Sequence, residues 1–550
     1  MRGMPHTPLL RHLRRLLARV WEADPRLHTP PLPMSRRSVL LASAAAVACG
    51  PGDPPDPVDP PADTPPTELP PTEESTLPEP DPRVGIVGAG LAGLHCAWRL
   101  LGSGVPATVF EAGARVGGRL HTGRGLFPDG QLCELGGELV DSDHATMWAL
   151  ADELDIAMVD LEAATVGLRA LVLVDGVQVD DATLIAQLTA VAPRLADAAR
   201  TAAKSEEGYA AIDATSLADF LEDVAPEAAF RELHRLLEVT YIGEYGLELA
   251  EQSALNLLYL VDFVHPELLA VIGTSDERWR AEEGSDIFTT RLADGLPGQI
   301  RLGHRLIAAR DGDAGGVTLN FDVDGDSIEW TFDRVVLAIP FAVLRGLDLT
   351  GLTLSDGKRD AIAALAQGTN AKVMAGFSRP VWRDAGGSGA LSADTALQTT
   401  WDSTVAQDGA GGILTDFLGG DVGAAIGTST ADGWWRGVLP ELEPHWPGIG
   451  AAYSGVAVLA DWPGDPLALG SYSCFGPGQY VAISEHVGTD EGAVFFAGEH
   501  CSVAWQGWME GAAISGGDVA ARILAELQIP LTARHTRLPR PGRWRAAFAR

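Results

Sequence analysis

Val84-Gly85-Ile86-Val87-Gly88-Ala89-Gly90-Leu91-Ala92-Gly93 is a strand-type apolar run that ends in a glycine-rich turn, and a helical apolar pattern follows at once. Gly88 permits a sharp turn, Gly90 lets the backbone approach a pyrophosphate, and Gly93 lets the helix pack closely on the strand. Free N–H groups at the start of the helix favour phosphate charge. Glu111, at the end of the next strand, is placed to accept ribose hydroxyls. The pattern predicts a dinucleotide site; the alternative is an ordinary turn between a strand and a helix.

The bulk composition excludes several classes of protein. With 550 residues, of which 46% are hydrophobic, the chain can bury a large core, and we expect two intimately linked domains. The formal net charge of −34 excludes a general nucleic-acid-binding surface. Five cysteines without paired spacing argue against a disulfide framework and against a metal site of the zinc type. No apolar run approaches the length of a membrane-spanning helix.

The first 82 residues are expected to precede the folded unit. Residues 1–49 form a leader in which SRRSVLLASAAAVA (35–48) is typical of a twin-arginine export signal, the alternative being a chance arginine pair. Export predicts a periplasmic or membrane-tethered, extracytoplasmic location. The leader ends either in cleavage after an A-x-A site or in lipidation of Cys49, which would attach the chain to a membrane. Residues 50–82, rich in proline and acidic residues, predict an extended spacer, and residues 529–550 a basic tail.

A second set of glycines follows Glu111. Residues 113–119 read GARVGGR and residues 134–141 read ELGGELVD. Glycine pairs beside arginines indicate backbone close to a phosphate or a ring, with Arg119 supplying charge to the pyrophosphate. With these motifs the sequence resembles the flavin-containing amine oxidase family, which includes monoamine, polyamine and L-amino-acid oxidases. The resemblance implies FAD, with Gly136 and Gly137 running past the isoalloxazine ring.

Further matches to this family are spread along the chain. Residues 300–306, IRLGHRL, look like the segment that returns to the FAD domain, and the resemblance implies that the backbone of Leu306 holds the adenine edge. Residues 332–340, FDRVVLAIP, read as a buried strand capped by a proline loop. The resemblance covers about residues 83–526.

The most specific match combines FFAGEH (495–500) with WMEGA (508–512). It predicts a strand, a turn at Gly498 and a helix whose N-terminus faces the flavin, where it stabilises negative charge on the reduced ring. The resemblance implies that Glu499 binds the ribityl chain and that Met509 packs beside the ring.

Lysine is scarce, occurring at Lys204, Lys358 and Lys372. Lys372 lies in a strand-like alternation, where burying an unpaired ammonium is costly. It looks like the family lysine that holds a water against flavin N5, and its positive charge would aid oxygen activation. The alternative is a surface lysine on an edge strand.

Two aromatic residues match the walls of the family's substrate cage. Tyr472, in GSYS (470–473), and Trp508 are implied to exclude water, favour a neutral amine and orient its C–N bond. The alternative for either ring is ordinary core packing. Ser471 stands where monoamine oxidases carry a cysteine bonded to FAD, so we expect non-covalent FAD. Cys474 is not expected to substitute.

The substrate is less readable than the cofactor. L-amino-acid oxidases place an arginine shortly after the Leu-Gly turn to clamp the substrate carboxylate, and Leu139 occupies that position here. This departure favours an amine without a carboxylate, unless another arginine replaces it. Glu138 either pairs with a second ammonium of a diamine or polyamine or caps local backbone. Tyr241 is a further candidate contact in the substrate domain.

These observations predict an α/β fold in which a discontinuous Rossmann-type FAD-binding domain is interleaved with an α+β substrate-binding domain. The FAD-binding segments are residues 83–141, 281–344 and 471–528. The substrate segments are residues 142–280, mainly helical, and 345–470. We expect an FAD-dependent oxidase that converts a primary or secondary amine, polyamines included, to an imine while O2 becomes H2O2.

Three rival functions stay open at the level of sequence. The nearer rival is an L-amino-acid oxidase, and a carotenoid- or porphyrinogen-type flavin desaturase is further off. From another class, a flavin-free binding protein could use the same scaffold. The intact set of Glu111, Arg119 and Glu499 argues against loss of the flavin. The sequence does not predict an oligomeric state.

Overall fold

The computed structural model describes residues 83–260, 276–502 and 504–531. The predicted leader with Cys49, the predicted spacer (50–82) and residues 532–550 of the predicted basic tail lie outside the described residues. Within the described ranges, no helix has the length and apolar character that crossing a membrane requires.

Short strands alternate with helices along the chain. The strands are β1 (Val84–Val87), β2 (Ala107–Phe110), β3 (Thr122–Gly123), β4 (Cys133–Glu134), β5 (Met158–Asp160), β6 (Arg169–Val174), β7 (Val177–Gln178), β8 (Trp279–Ala281), β9 (Ile300–Arg301), β10 (Arg305–Asp311), β11 (Val317–Val323), β12 (Asp326–Phe332), β13 (Arg334–Leu337), β14 (Asp348–Gly351), β15 (Ala366–Gln367), β16 (Ala371–Phe377), β17 (Gly387–Ala393), β18 (Thr399–Asp402), β19 (Gly412–Leu418), β20 (Tyr453–Ala460), β21 (Ser473–Cys474) and β22 (Val494–Phe496). The longer helices are α1 (Leu91–Gly102), α2 (Ala145–Glu153), α3 (Asp181–Lys204), α4 (Glu206–Asp213), α5 (Leu217–Val224), α6 (Arg231–Tyr245), α7 (Ile287–Asp294), α8 (Asp356–Ala364), α9 (Ala431–Leu442) and α10 (Met509–Glu526).

A parallel sheet with the strand order β22-β13-β1-β2-β9 forms the centre of the nucleotide-binding side. β1 pairs with β13 on one side and with β2 on the other, so the apolar run that opens the fold is a fully buried interior strand. α1 and α10 pack against each other so closely that a Cβ on Gly516 would lie 2.2 Å from the carbonyl oxygen of Ala92. This is the predicted Rossmann-type arrangement.

A second sheet, with the order β12-β11-β10-β14, packs against the first through aromatic rings. Phe110 at the end of β2 stacks on Phe321 of β11 with ring centroids 4.3 Å apart, and both side chains are fully buried. Burying a large apolar side chain stabilises the fold by about 1.5–3 kcal/mol, so this contact is a substantial link between the two sheets.

Two elements belong to the nucleotide-binding side although they lie beyond the predicted segment boundaries. β14 follows the predicted boundary at residue 344, yet it pairs with β10 of the preceding segment. α2 follows the boundary at residue 141, yet its Met147 and Leu150 lie in the same apolar cluster as Val109 of β2. The nucleotide-binding segments therefore extend to about residues 153 and 351.

The substrate side contains a mixed sheet with the order β20-β16-β19-β18-β17-β6-β7. β6 and β7 come from residues 142–280 and the other strands from residues 345–470, so the two predicted substrate segments share one sheet. β16 is antiparallel to β20 and β19, and all of its residues are buried. Lys372 is therefore on an interior strand, not on an edge strand.

The helices of the substrate side have ends that the sequence explains. The carboxylate of Asp180 accepts a hydrogen bond from the backbone N–H of Thr183 and caps α3. α6 ends at Gly246, whose φ of 72° is a left-handed conformation that glycine adopts without strain. The stretch predicted to be mainly helical, residues 142–280, contains α2 to α6, and it also contributes the short strands β5, β6 and β7.

Candidate active site

The glycine-rich turn after β1 opens onto a cavity. Gly88 has a φ of +104°, and a Cβ on Gly93 would lie 2.0 Å from the carbonyl oxygen of Gly88. A Cβ on Gly90 would meet no atom within 4 Å, because this residue faces the cavity. Gly90 also directly precedes α1, so the free N–H groups of that helix lie at the cavity wall. Each glycine thus has the geometry that its predicted role requires.

Glu111 connects the two glycine-rich turns. Its Oε2 accepts a hydrogen bond from the N–H of Ala89 at 2.9 Å, and its Oε1 accepts one from the N–H of Gly113 at 2.8 Å. The side chain lines the cavity beside the turn. This acid therefore holds both turns in place at the position where a ribose was predicted.

An ion pair joins the first and the last nucleotide-binding segments. Arg119 Nη1 lies 3.0 Å from Glu499 Oε1, while Glu499 Oε2 accepts hydrogen bonds from Ser473 Oγ and from the N–H of Gly507, both at 2.8 Å. Burial opposes ionisation of Glu499, but the charge of Arg119 and the hydrogen bonds from Ser473 and Arg119 together hold its pKa below the ordinary value. The carboxylate is therefore ionised at neutral pH.

The cavity has a volume of about 740 Å³ and runs from the glycine-rich turn to the substrate-side sheet. Most of the predicted site residues line it together: Gly88, Gly90, Glu111, Arg119, Gly136, Gly137, Glu138, Leu306, Lys372, Tyr472, Gly498, Glu499, Trp508 and Met509. Gly93 lies behind the turn, where it permits the close packing just described. Residues more than 400 positions apart in the sequence, such as Gly88 and Met509, are thus brought to one cavity.

Tyr241 does not line this cavity. Its side chain is 0% exposed on the inner face of α6, where its hydroxyl donates to the carbonyl oxygen of Leu257 at 3.4 Å. Its ring stacks on that of Tyr245 at a centroid distance of 6.4 Å. The prediction of a substrate contact is corrected here, because the C-terminal part of α6 is buried on every side and the Tyr241 ring packs within the core.

Lys372 Nζ lies among three acceptors at the cavity wall. It donates to the carbonyl oxygen of Gly136 at 2.8 Å, to that of Glu134 at 3.2 Å and to Glu138 Oε2 at 3.1 Å. It also lies 5.1 Å from the ring centroid of Trp401. The buried ammonium is therefore paired and fully hydrogen-bonded, which offsets the cost of placing it on an interior strand. The expectation that Lys372 holds a water is corrected here, because its three N–H donors all go to protein acceptors; its positive charge remains at the cavity wall.

Glu138 has a different partner from those the sequence offered. Its carboxylate pairs with Lys372 and also accepts a hydrogen bond from Trp401 Nε1 at 3.3 Å. The sequence offered two alternatives for Glu138, capping of local backbone and pairing with a second substrate ammonium. The observed arrangement is neither of them. The structure instead presents a neutralised pair of opposite charges at the cavity wall.

Glu134, which sequence reasoning missed, is a second buried acid next to this pair. Burial, and then the nearby charge of Glu138, raise its pKa to about 7. Its carboxylate accepts from the N–H of Ser285 and from Thr122 Oγ1, both at 2.9 Å, and so turns away from Lys372 Nζ. The sequence feature that could have identified Glu134 is its position directly before the Leu-Gly-Gly turn, where it is a charged residue next to a predicted cofactor contact.

Aromatic rings form the substrate-side wall of the cavity. Tyr472, Trp401 and Phe417 pack as one buried cluster, and the Tyr472 hydroxyl donates to the carbonyl oxygen of Gly243 at 2.8 Å. Trp508 lines the same cavity and packs edge-to-face against His144 at 4.7 Å. Trp401 and Phe417 were not predicted as site residues. They reach the cavity through strand pairing, Phe417 opposite Lys372 on β19 and Trp401 on the adjacent β18, and such pairing cannot be read from a local pattern.

Residues 91–524 match the family described as flavin containing amine oxidoreductase. The chain belongs to this family. An L-amino acid dehydrogenase of Synechocystis sp. is 26% identical over 80% of this chain and 94% of the relative. The flavin-dependent L-tryptophan oxidase RebO of Lentzea aerocolonigenes is 28% identical over 78% of this chain and 95% of the relative.

Solved structures of other amine oxidases have the same fold. Cyclohexylamine oxidase from Brevibacterium oxydans IH-35A superposes with a TM-score of 0.69 at 24% identity, covering 82% of this chain and 100% of that one. Wild-type putrescine oxidase bound to putrescine has a TM-score of 0.68 at 21% identity, covering 81% and 99% of the two chains. The fold class predicted from sequence is therefore confirmed.

The cavity of this flavin amine oxidoreductase fits FAD. The open side of Gly90, the start of α1 and Arg119 would hold the pyrophosphate, and Glu111 lies at the ribose position. At the other end, the N-terminus of α10 and Met509 line the wall where the ring would lie. Among the described residues, no cysteine lines the cavity, and Cys474 is fully buried outside it. Non-covalent attachment of FAD stays a prediction.

Arginines of the cavity wall lie on its nucleotide side. Arg115 donates to the carbonyl oxygen of Gly118 at 2.7 Å, Arg119 pairs with Glu499, and Arg305 pairs with Asp322 at 2.9 Å. Leu139 lines the cavity where an L-amino-acid oxidase was expected to carry an arginine. Arg280 does not replace it, because its guanidinium donates to the carbonyl oxygen of Ser403 at 2.7 Å outside the cavity lining.

Proposed function

We propose that this FAD-dependent oxidoreductase oxidises a primary or secondary amine that carries no carboxylate to an imine, with O2 reduced to H2O2. The observation that carries the proposal is the substrate end of the cavity. There, aromatic rings surround a neutralised Lys372–Glu138 pair, and the arginines among the described lining residues lie on the nucleotide side. A carboxylate would find no guanidinium to pair with in this environment.

The chain's own residues would prepare the amine for oxidation. The rings of Trp401, Phe417 and Tyr472 exclude water, which favours the neutral amine over its ammonium form. The hydrogen bond from the Tyr472 hydroxyl to Gly243 holds that ring in one orientation. FAD, when bound, supplies a ring that accepts a hydride from the carbon next to nitrogen and then passes two electrons to O2. Hydrolysis of the imine gives a carbonyl compound and ammonia or a smaller amine.

Peroxide release tests this proposal. The purified FAD-loaded protein is incubated with a panel of monoamines, putrescine and longer polyamines, and L-amino acids, and H2O2 is measured with a coupled peroxidase. We expect sustained release with one or more amines and a weaker response to amino acids. Sustained turnover of amino acids alone would overturn the proposed substrate class, and a visible spectrum without flavin bands would overturn every oxidase version.

An L-amino-acid oxidase is the second candidate, and a specific observation favours it. Both relatives described above are named for L-amino acids or L-tryptophan, and the match covers nearly their whole length. Against it stands Leu139 at the cavity wall. The panel experiment decides between the two candidates, because matched pairs such as tryptamine and L-tryptophan differ by the carboxylate alone.

We also propose export by the twin-arginine route, on the sequence of residues 35–48. Replacing Arg36 and Arg37 by lysine in the full chain is expected to keep the protein in the cytoplasm, as measured by cell fractionation. Cys49→Ala separates lipidation from simple cleavage. If Cys49 carries lipid, this variant moves from the membrane fraction to the soluble fraction, and if cleavage follows residue 48, fractionation is unchanged.

A further inference from the structure

The ammonium of Lys372 has no donor left for a ligand in this structure. A lysine ammonium has three N–H donors. Its hydrogen bonds go to the carbonyl oxygens of Glu134 and Gly136 and to Glu138 Oε2. The first two acceptors are backbone atoms of the turn beside the cavity, so Glu138 is the side chain that completes the set.

Glu138 is held in this position from two sides. Trp401 Nε1 donates to the same carboxylate oxygen that pairs with Lys372, at 3.3 Å. The side chain of Glu138 is 5% exposed and that of Lys372 is 8% exposed, so water screens the pair weakly. Both residues line the cavity next to the aromatic wall formed by Trp401, Phe417 and Tyr472.

The charge balance at this point of the cavity depends on Glu138. Glu134, the other acid of the turn, contacts Lys372 Nζ through its backbone oxygen, and its carboxylate is bonded to Thr122 and Ser285. Without Glu138, the ammonium would therefore face the cavity with a free donor and an uncompensated charge. Such a group is a ready binding partner for a carboxylate.

We propose that Glu138 determines substrate class by neutralising the charge of Lys372 and occupying its third donor, which withholds this ammonium from a substrate carboxylate and restricts the site to amines without one. The inference rests on the proposed function and deepens it. It attributes the exclusion of α-amino acids to Glu138, in addition to the presence of Leu139 where an arginine was expected. A carboxylate brought to the pair would also meet the like charge of Glu138, which costs further affinity.

Binding of benzoate, a carboxylate without an oxidisable amine, tests the inference without turnover. Benzoate is titrated into the FAD-loaded wild type and into Glu138→Gln, and the dissociation constant is measured by calorimetry and by the flavin difference spectrum. We expect binding to Glu138→Gln to be tighter by about tenfold or more, because a neutral amide leaves the Lys372 charge uncompensated. Benzoate binding that is no tighter than in the wild type overturns the proposal.

Matched variants separate this role from a structural one. Glu138→Asp keeps the charge and is expected to retain wild-type benzoate affinity. Glu134→Gln removes a neighbouring buried acid that does not line the cavity and is expected to leave benzoate affinity unchanged. Adding Lys372→Met to Glu138→Gln is expected to abolish the gain; a gain that persists without Lys372 contradicts the assigned mechanism.

A second measurement keeps the proposal falsifiable if Glu138→Gln fails to fold. The double variant Lys372→Met with Glu138→Gln removes both buried charges together and is expected to bind benzoate with wild-type affinity, because in the wild type neither charge of the pair is offered to a carboxylate. Weaker benzoate binding to this double variant than to the wild type would show that Lys372 is open to carboxylates and would overturn the proposal.

The kinetic counterpart uses matched substrates. The ratio of kcat/KM for L-phenylalanine to kcat/KM for phenethylamine is expected to rise about tenfold or more in Glu138→Gln, and an unchanged ratio contradicts the inference. Failure of the proposed function has a different signature, since it means that the wild type releases no peroxide with any amine. The benzoate titration decides the role of Glu138 in either case.

Discussion

A lysine on a strand whose residues are all buried requires compensation, and Lys372 obtains it from two backbone carbonyls and Glu138. The same contacts place its charge at the wall of the cavity that fits FAD. The contacts of Lys372 thus have two effects: they stabilise the buried strand, and they set the charge at the wall of the site.

Replacing Lys372 by methionine is expected to slow flavin reduction by amine or reoxidation by O2 by about 100-fold, the usual cost of removing one preorganised electrostatic contact. Anaerobic stopped-flow reduction and reoxidation with O2 measure the two half-reactions separately. Lys204→Met, at the exposed end of α3, is the matched control and should leave both rates unchanged. Wild-type rates in Lys372→Met would remove its assigned role.

His500 makes stability depend on pH. Its ring packs against Phe341 at 4.6 Å, neither ring nitrogen has a hydrogen-bond partner among the described residues, and burial lowers its pKa from 6.5 to about 4. Below pH 6.5 the unfolded chain therefore binds a proton that the folded chain does not. The contribution of His500 is complete above pH 6.5 and is lost as the pH falls toward 4.

We expect this histidine to remove about 3 kcal/mol of the free energy of unfolding between pH 7 and pH 4. Urea unfolding of the wild type and of His500→Phe at several pH values measures the effect, and the variant should lose less stability on acidification. His445→Phe, in the turn after α9, is the control. Equal acid sensitivity of His500→Phe and wild type would contradict the assignment.

At the scale of elements, the contact between α1 and α10 fixes two helix N-termini on one cavity. Gly516 permits that contact, since a Cβ there would lie 2.2 Å from the carbonyl oxygen of Ala92. Gly437, in the exposed face of α9, offers a comparison, because a Cβ there would meet no atom within 4 Å.

Gly516→Ala is expected to destabilise the fold by about 1–3 kcal/mol, the usual cost of overpacking, and to weaken FAD binding by displacing the start of α1 or α10. Gly437→Ala should instead stabilise by about 0.4–1 kcal/mol, since it lowers the entropy of the unfolded chain. Denaturant midpoints and FAD affinity of both variants provide the check. Equal effects of the two substitutions would argue against the close helix contact.

At the scale of the whole molecule, the cavity joins segments that are far apart in the sequence. Its wall contains residues of the first nucleotide-binding segment, the substrate-side sheet and α10. A cofactor held by all of them should stabilise the folded chain by linkage, by about 2.7 kcal/mol at a free concentration 100 times its dissociation constant.

A substitution at Gly90 should impair cofactor binding without impairing folding. A Cβ at this position meets no protein atom within 4 Å, whereas one on Gly93 lies 2.0 Å from a backbone oxygen. We therefore expect Gly90→Val to unfold like the wild type in the absence of FAD but to gain little thermal stability when FAD is added. Gly93→Val should be destabilised with and without FAD. Thermal unfolding with and without added FAD distinguishes these outcomes, and a full FAD-dependent shift in Gly90→Val would contradict the predicted cradle.

The sequence by itself determined the nucleotide-binding half of this protein, because its signals are local. The glycines of residues 88–93 have roles that depend on turn geometry, and Glu111 follows a strand by a fixed spacing, so each could be read within one strand–turn–helix unit. The family motifs around Glu499 and Lys372 extended this reading to the candidate site. The alternation around Lys372 likewise predicted a strand, but only its pairing with β19 and β20 showed that β16 is an interior strand with all residues buried.

Only the tertiary structure decided the partners at the substrate end. Glu138 and Lys372 are more than 200 residues apart, and Trp401 joins them from another strand, so no local pattern encodes their contact. Tyr241 is an example of a wrong prediction of this kind. The sequence cannot tell whether a tyrosine on a helix faces a substrate or the core, and in the folded chain this one is buried in the core. Pairing across strands depends on long-range register and burial, which are properties of the folded chain as a whole.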